Sequence, residues 1–453
     1  MATGDAVASA VCPPEGGWTA LIDELREGRW IGPDGAACPP SATRSIVIAE
    51  TLEGREADLV AGLGVDGPLA VVADANTWEA IGGRVARALA AAGRAPAEVV
   101  LDGHPHADLA TAEALAARLT GAVHVVAVGS GTINDLVKYV TAQDGRSCSV
   151  FATAASMDGY TSSTASMGLP SGLKVSLGAH APLGAFLDLS VMAAAPPRMA
   201  GAGYGDCLNT SVARIDWWMS HRLLGTFYRE EPYLVAEANG AELDARAGGV
   251  GRGEVEAIGY LARALILSGL GIGFTRMSNH GSMGEHQISH YIDCFAGDRH
   301  PGTLHGQQVG VASLTMARIQ NWFLDQETPP AIGPTPIDEA DMARRMGPAI
   351  AAQCAEEYRK KALDAEGAAR LTEALREIWP ALRRECRQWA IPVETMRERL
   401  AAAGAPTSAR ELGLDVGFYR EAVRHGHEMR SRFSFADLAC DAGLLDDFAA
   451  AEG

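Results

Sequence analysis

The sequence predicts an α/β domain followed by an all-helical domain, and three observations support this fold class. Apolar, strand-like segments alternate with helical segments from Ser45 to about residue 190. From about residue 197 onward the apolar residues recur with a period near 3.6, and runs of β-branched residues disappear. The chain has 453 residues, more than one hydrophobic core usually serves. We therefore expect a parallel sheet covered by helices, followed by a second, helical domain.

The elements of the first domain follow in order. Residues 1–42 are an N-terminal extension, rich in Ala, Gly and Pro, with one amphipathic helix in WTALIDELREG. The predicted strands are SIVIAE, LAVVAD, AEVVLDG, VHVVAVGSG, CSVFATAA and GAFLDLS, with helices such as TWEAIGGRVARALAAAG and HADLATAEALAARLTG between them. Strands alternating with helices of this length indicate a parallel sheet, so residues 43–196 are predicted to form a Rossmann-like dinucleotide-binding domain.

Residues 197–453 are predicted to be helical, in segments such as VEAIGYLARALILSGLGIGF and QVGVASLTMARIQNWFL. The expected place for chemistry is then the cleft between the two domains.

Composition narrows the classes of function. The formal net charge is −18 and no basic patch is visible, so a nucleic-acid partner is not expected. The eight cysteines contain no C-x-x-C pair, which argues against a zinc ribbon and against a disulfide framework. There is no signal-peptide pattern and no apolar run of about 18 residues. The composition therefore favours a cytoplasmic protein without a membrane span.

The segment VHVVAVGSGTINDLVKYV indicates a cofactor-binding turn between a strand and a helix. Gly129 and Gly131 allow close approach of the backbone, and the N-terminus of the following helix favours a pyrophosphate. A bare G-x-G is a weak signal, and a purely structural turn is an equal alternative. The polar residues Asn134, Asp135 and Lys138 on the helix favour the cofactor.

An earlier segment, VVADANTWEAIGG, ends a predicted strand on an acidic residue. Asp74 could accept hydrogen bonds from a ribose. Alternatively Asn76 or Thr77 simply caps the next helix, and spacing alone favours this second interpretation.

Four further residues suggest a metal site. His286 and His290 in GEHQISHYIDC would share one face of a helix, although such a pair alone is more often structural. His305 begins another predicted helix, and Asp206 stands at the predicted opening of a helix after three glycines. Two imidazoles and one carboxylate suit a divalent ion and leave positions open for a substrate. Asp206 could instead be an acidic residue favoured by the helix dipole.

Seven motifs occur along the chain in the following order: VVADANT, GSGTINDLVKY, FATAASMDGYTSSTAS, AGAGYGDCLNTSVARIDW, GEHQISHYID, LHGQQVGV and HEMRSRFSFADLACDAGLL. Through them, most of the chain resembles the glycerol-1-phosphate dehydrogenase family, within the superfamily of iron-containing alcohol dehydrogenases and dehydroquinate synthase. The resemblance implies a dehydroquinate synthase-like architecture with the active site in the interdomain cleft.

The resemblance also implies an activity and its cofactors. It predicts a dehydrogenase that interconverts a small polyol phosphate and its ketone with NAD or NADP and one divalent metal ion. Zn²⁺ is favoured, with Fe²⁺ or Ni²⁺ as alternatives, and a homodimer is a reasonable default.

Roles for individual residues follow from the resemblance. Metal ligands are expected at Asp206, His286 and His305. His290 is expected to be a non-ligand histidine that contacts substrate or relays a proton, with Asp158 and Lys174 at the substrate end. The residues expected to bind the cofactor are Asp74, Asn76, Gly129, Ser130, Gly131, Asp135, Thr153 and Ser156.

One position departs from the family pattern. Where the family usually has S-R-P-A-S-G, this chain has SNHGSMG, so Asn279 replaces an arginine and His280 a proline. Asparagine cannot supply a charge for bidentate phosphate binding. Arg276 or Lys174 could supply that charge, and neutral drift is the other explanation. The substrate could thus be a different polyol or a larger precursor.

Two other classes of function fit the sequence less well. A dehydroquinate synthase-like cyclase, a lyase, would use NAD only transiently and would usually carry a Gly-rich loop where this chain has Thr132, Ile133 and Asn134. A non-catalytic binding protein would be expected to have lost metal ligands, and all three are present. Both comparisons favour the dehydrogenase.

Overall fold

A computed structural model describes residues 11–275 and 277–453. Eight strands lie in the first part of the chain: β1 (Ser45–Ala49), β2 (Leu69–Asp74), β3 (Ala97–Leu101), β4 (His124–Gly129), β5 (Ser147–Ala152), β6 (Thr164–Gly168), β7 (Lys174–Gly178) and β8 (Gly184–Asp188). Six of them form a parallel sheet in the order β1-β8-β5-β4-β2-β3, and β6 and β7 form an antiparallel hairpin. The predicted parallel sheet is confirmed, whereas the hairpin was not predicted.

The centre of the sheet is buried on both faces. Every residue of β4 is buried, as are the first five of β2, which explains why both read as continuous apolar runs rather than as alternating patterns. Strand β3 follows β2 along the chain and pairs with it toward one edge of the sheet. Strand β5 follows β4 and pairs with it toward the opposite edge. The chain therefore changes direction between β2 and β4, and ligands usually bind outside the carboxyl ends of strands at such a point.

Helices cover the sheet and make up the rest of the chain. In the first part they are α1 (Ala20–Arg26), α2 (Glu56–Ala61), α3 (Ala75–Thr77), α4 (Gly83–Ala91), α5 (Leu109–Arg118) and α6 (Gly131–Gln143), with a π-helical turn at Trp78–Gly82 and a 3₁₀ turn at Gly159–Thr161. After β8 all described elements are helical: α7 (Leu189–Ala193), α8 (Pro197–Leu208), α9 (Thr210–Leu224), α10 (Glu231–Ala245), α11 (Ala247–Gly251), α12 (Val255–Thr275), α13 (Gly284–Phe295), α14 (His305–Asp325), α15 (Glu339–Met346), α16 (Pro348–Arg359), α17 (Ala365–Arg387), α18 (Val393–Ala402), α19 (Val416–His425), α20 (Phe435–Asp441) and α21 (Leu445–Ala450), with 3₁₀ turns at Asn279–Gly281, Gly297–Arg299 and Gly426–Met429. The predicted helical second part is confirmed.

The largest hydrophobic cluster runs through both parts, from Trp18 to Ala449, so they share buried surface. The N-terminal extension joins it: the Trp18 ring packs edge-on against Tyr260 on α12, and its carbonyl accepts a hydrogen bond from Arg263. The boundaries at residues 43 and 197 stay predictions.

One segment of α12, Val255–Ile272, is long and apolar enough to cross a membrane by length and composition alone. Within the fold 72% of that segment is buried, as expected for a central core helix.

Helices α8 and α14 approach each other unusually closely. A Cβ atom on Gly205 would lie 2.2 Å from the carbonyl oxygen of Gly306, and one on Gly306 would lie 2.0 Å from that of Ala202. The prediction that Asp206 opens a helix after three glycines was wrong, because the glycines lie inside α8 and Asp206 is in its last turn. The glycines are there because any side chain would collide with neighbouring backbone.

Candidate active site

A cavity of about 1730 Å³ lies between the carboxyl edge of the sheet and the helical part. The predicted site residues that line it are Ser130, Gly131, Asp135, Ser156, Asp158, Lys174, Asp206, His286, His290 and His305. Asp74, Asn76, Gly129 and Thr153 are not among its lining residues. The structure thus brings most of the predicted site residues together around one cleft.

The three predicted metal ligands meet at one end of the cavity. Asp206 comes from the last turn of α8, His286 from the first turn of α13 and His305 is the first residue of α14. One ligand atom from each lies within 4.8 Å of those of the other two. Such a spacing is compatible with a single divalent ion bound by all three residues.

Neighbouring side chains orient both imidazoles. The Nδ1 atom of His286 lies 2.9 Å from a carboxylate oxygen of Glu285, to which it donates. Ser289 donates its hydroxyl proton to Oε1 of Gln308, so its oxygen is left to accept from Nδ1 of His305, 3.1 Å away. Each ring then keeps its proton on Nδ1 and presents the lone pair of Nε2, the arrangement that metal-binding histidines usually show.

The electrostatics of the cluster favour a bound cation. Burial, and then the charge of Asp158, raise the pKa of Asp206 well above its usual range. Burial raises the pKa of Glu285 to about 7 and lowers that of His286 to about 3. Because the imidazoles are neutral, they supply no positive charge to stabilise the ionised form of the buried carboxyl groups beside them. The residues present therefore fit a divalent metal ion.

His290 lies one turn beyond His286, at the edge of the cluster. Its ring centroid is 5.7 Å from that of His305, and its buried Nδ1 atom has no hydrogen-bond partner among the described residues. An unperturbed imidazole titrates near neutral pH. Instead burial, and then the charge of Arg430, lower the pKa of His290 well below its usual value. At pH 7 this side chain is neutral, and its lowered pKa suits it to pass a proton on rather than to hold it.

Asp158 and Lys174 both face the cavity. A carboxylate oxygen of Asp158 accepts a hydrogen bond of 2.8 Å from Ser268, and its backbone N–H donates to Asp206. Lys174, the first residue of β7, has its Nζ atom 2.9 Å from a carboxylate oxygen of Asp293 on α13. The charge of Lys174 is therefore already partly neutralised.

The Gly-rich turn after β4 opens onto the cavity at its second glycine. A Cβ atom on Gly131 would meet only Met157, at 3.6 Å, whereas one on Gly129 would lie 2.7 Å from Ile133. Gly129 is therefore required by the packing of the turn itself. Gly131, at the first position of α6, leaves the backbone accessible for a ligand.

Lys138 on α6 was expected near the cofactor, and the structure gives it another role. Its ammonium group is fully buried and donates to the carbonyl oxygens of Gly159 and Thr164, at 2.8 and 2.6 Å, and to the hydroxyl of Ser162. It also lies 3.2 Å from the carboxylate of Asp135. Lys138 thus fastens the segment after Asp158 and has no donor left for a phosphate.

At the end of β2 the helix cap is Asp74 itself. Its carboxylate accepts from the backbone N–H of Thr77 at 2.8 Å, while the hydroxyl of Thr77 accepts from the backbone N–H of Asp74. The prediction that Asn76 or Thr77 is the N-cap residue was wrong, because the N-cap residue is Asp74. One carboxylate oxygen of Asp74 remains outside this capping box, so its predicted contact with a ribose stays a prediction.

The position that departs from the family pattern does not face the cavity. Asn279 is buried and absent from the cavity lining, whereas its neighbour His280 lines it. The Nε2 atom of His280 lies 3.1 Å from the carbonyl oxygen of Ser268. Arg276, which could have replaced the missing charge, lies outside the described residues.

Sequence reasoning missed several residues of the site. Glu285 and Ser289 hold the imidazoles, Ser268 holds Asp158, and Arg430 lines the cavity. A signal was present only for Glu285, which directly precedes a candidate ligand. Ser289 lies between His286 and His290 on the same helix, but its contact is with His305 on the next one. Ser268 and Arg430 come from segments far away in the sequence.

The fold recurs in solved structures. It is similar to glycerol dehydrogenase from Schizosaccharomyces pombe, with a TM-score of 0.60 at 18% identity and 90% of each chain covered. A 1,3-propanediol oxidoreductase gives a TM-score of 0.61 at 13% identity, covering 90% of this chain and 98% of that one. A model of the iron-containing alcohol dehydrogenases matches residues 47–196. The solved structures show the fold alone. The family model and the sequence relatives show an NAD(P)-dependent alcohol dehydrogenase of a class that uses a divalent metal ion.

Sequence relatives narrow the class to one family. The glycerol-1-phosphate dehydrogenase (NAD(P)+) of Bacillus velezensis is 30% identical over 371 residues, which cover 80% of this chain and 83% of the relative. The enzyme of that name from Haloquadratum walsbyi is 26% identical over 392 residues, covering 86% of this chain and 90% of the relative. The chain belongs to the glycerol-1-phosphate dehydrogenase family.

Proposed function

We propose that this protein interconverts glycerol 1-phosphate, or a closely similar polyol phosphate, and the corresponding ketone with NAD or NADP. The observation that carries the proposal is the Asp206, His286 and His305 cluster, which lies in the same cavity as the open Gly131 turn. A substrate bound at the cluster and a dinucleotide bound at the turn would share one cleft.

The chemistry divides between the bound groups and the chain. When bound, the metal ion acts as a Lewis acid that lowers the pKa of the alcohol, and the nicotinamide carries the hydride. Asp206, His286 and His305 would hold the ion. We propose Zn²⁺, because two imidazoles and a carboxylate suit it and leave a position open for substrate; Fe²⁺ and Ni²⁺ are the alternatives.

The chain's own residues would handle the proton and position the substrate. Oxidation of the secondary alcohol releases one hydride and one proton. We assign the proton to His290, since its imidazole is neutral at pH 7 and lies beside the cluster. Asp158, held by Ser268, lies near enough to the cluster to accept a hydrogen bond from a second substrate hydroxyl.

Location and assembly belong to the same proposal. All eight cysteines are free, which supports a reducing compartment such as the cytoplasm. The homodimer stays a prediction from the sequence.

The test is oxidation of NADH and NADPH by metal-loaded protein, with dihydroxyacetone phosphate and dihydroxyacetone in parallel. Sustained loss of reduced cofactor with the phosphate is the expected result. A cyclase would return its cofactor unchanged, so phosphate release without net oxidation of cofactor would replace the dehydrogenase with the lyase. Faster turnover of dihydroxyacetone than of its phosphate would contradict a polyol phosphate substrate.

A further inference from the structure

The cations that line the substrate end of the cavity differ in what they already bind. Lys174 is paired with Asp293. Arg432 donates from one guanidinium nitrogen to the carbonyl of Ser282 and from another to the hydroxyl of Ser278, at 2.9 Å. Arg430 also lines the cavity. Among the hydrogen bonds and ion pairs of residues 11–275 and 277–453, none involves its guanidinium group.

Arg430 is nevertheless held in a defined place. The backbone carbonyl of Arg432 accepts hydrogen bonds from Gln287 at 2.9 Å and from Lys361 at 2.8 Å, and Lys361 is itself anchored 2.6 Å from Asp437. Arg430 is extended, with φ −144° and ψ 157°. The hydrogen bonds to the carbonyl of Arg432 fix the backbone two residues beyond Arg430, and the side chains of both Arg430 and Arg432 line the same cavity.

A guanidinium that is partly buried without a paired anion destabilises the folded protein, because its charge has lost contact with water. Burial lowers the pKa of Arg430, and burial together with the charge of Arg430 lowers that of Arg432 to about 9. The carboxylate whose charge acts on Arg430, that of Glu357, is already bonded to Lys360. A fixed guanidinium with spare donors, and with no carboxylate bonded to it among the described residues, is what a phosphate dianion requires.

The position of Arg430 also suits a polyol phosphate. Its charge acts on His290 and on Cys294, and the sulfur of Cys294 accepts a hydrogen bond from the backbone N–H of Lys174 at 3.4 Å. Arg430 therefore lies in the corner where α13 meets β7, beside the metal-ligand cluster. A substrate whose hydroxyl reaches that cluster would direct its phosphate into this corner.

We propose that Arg430, assisted by Lys174, binds the phosphate group of the substrate, and that no residue at position 279 is needed for this. The inference rests on the proposed function for the identity of the substrate, and on the unpaired guanidinium for the anion site itself. It assigns the charge that Asn279 cannot supply to a residue about 150 positions further along the chain.

The first test measures binding rather than turnover. Inorganic phosphate is titrated into metal- and NAD-loaded protein by calorimetry, for wild type, Arg430→Gln, Arg430→Lys and the control Arg370→Gln, which removes an exposed charge on α17. Loss of a charged hydrogen-bond donor should weaken phosphate binding roughly 10- to 100-fold in Arg430→Gln, with partial recovery in Arg430→Lys and no change in the control. Phosphate should raise the melting temperature of wild type but not of Arg430→Gln.

Folding provides a second readout. Because Arg430→Gln removes an uncompensated charge, the melting temperature without phosphate should be equal to or above that of wild type. A lowered melting temperature with unchanged phosphate affinity would show that Arg430 is structural, and would overturn the proposal.

Kinetics then separate the two proposals. Arg430→Gln should raise KM for dihydroxyacetone phosphate and leave KM for dihydroxyacetone unchanged. If wild type turns over the phosphate and Arg430→Gln does so equally well, the proposed function stands and the phosphate site falls. If wild type binds phosphate through Arg430 but oxidises no reduced cofactor with either ketone, the site stands and the proposed function falls.

Discussion

The close contact between α8 and α14 should set the distance between two of the proposed metal ligands, and the substitution Gly205→Ala tests this. The new Cβ atom would lie 2.2 Å from the carbonyl oxygen of Gly306. Ordinary contact requires well over 3 Å, so the two helices would have to separate by about 1 Å. Asp206 directly follows Gly205 on α8, and His305 directly precedes Gly306 on α14. Separation of the helices would therefore move two metal ligands apart.

The magnitude follows from two terms. Overpacking against backbone costs about 1–3 kcal/mol, and alanine regains about 1 kcal/mol of helix propensity. A clash of this size with backbone takes the upper end of the overpacking cost, so we expect a net loss of about 2 kcal/mol in the free energy of unfolding. Metal–ligand distances tolerate deviations of only about 0.2 Å, so a shift of about 1 Å should reduce metal affinity by at least about 100-fold, the upper end of what loss of a supporting residue costs.

The assay combines competition with a chromogenic chelator, below the melting temperature, with denaturant unfolding. Gly240→Ala is the matched control, because Gly240 lies inside α10 and a Cβ atom there would meet nothing within 4 Å beyond the backbone of its own helix. The control should be slightly more stable than wild type and bind metal equally well. If Gly205→Ala matches the control in both measurements, the close approach of the helices does not position the ligands.

Four further outcomes are expected. His305→Ala should lose bound metal and turnover while its circular dichroism stays native; retained metal would exclude His305 as a ligand. Ser289→Ala should keep the metal but with roughly 10- to 100-fold lower affinity, measured by chelator competition, because the His305 ring loses its orienting acceptor. Burial raises the pKa of metal-free Asp206, and a metal ion binds its carboxylate, so metal binding should release protons from this group and strengthen as pH rises; His286, with a pKa of about 3, is already neutral and should release none. Calorimetry in buffers of different ionisation enthalpy checks this. Lys138→Met should cost about 3–5 kcal/mol of stability in denaturant titration, since it leaves buried acceptors unpaired; a neutral result would mean that Lys138 does not fasten the segment after Asp158.

The parts of the fold that depend on local pattern were predictable. The strands of the sheet appear as short apolar runs and the second part as helical periodicity, because burial on both faces of a strand and on one stripe of a helix leaves a regular trace. The shared face of His286 and His290 follows from the same regularity. The hairpin that carries Lys174 leaves no such trace, since its strands have five residues each and mixed exposure.

The parts that depend on distant contacts were not predictable. The need for a glycine at position 205 arises from a carbonyl oxygen about one hundred residues away in sequence, that of Gly306. Similarly, Arg430 and Arg432 stand in one short motif, yet within the described part of the chain one guanidinium is bonded and the other is free. That difference depends on Ser282 and Ser278, which lie 150 and 154 residues earlier, so a single sequence cannot distinguish the two arginines.

The overall charge of the protein makes local cations more important for an anionic substrate. With a formal net charge of −18, the long-range field opposes the approach of a phosphate dianion. At physiological salt this field is screened beyond about 8 Å, whereas contacts within a partly buried corner are screened much less. Capture of the substrate therefore has to depend on charges that touch it. Lys138 has committed its donors, Arg432 already donates to Ser282 and Ser278, and Lys174 shares its charge with Asp293. Among the cations at the substrate end of the cavity, Arg430 is therefore the group on which discrimination between a polyol and its phosphate should chiefly depend.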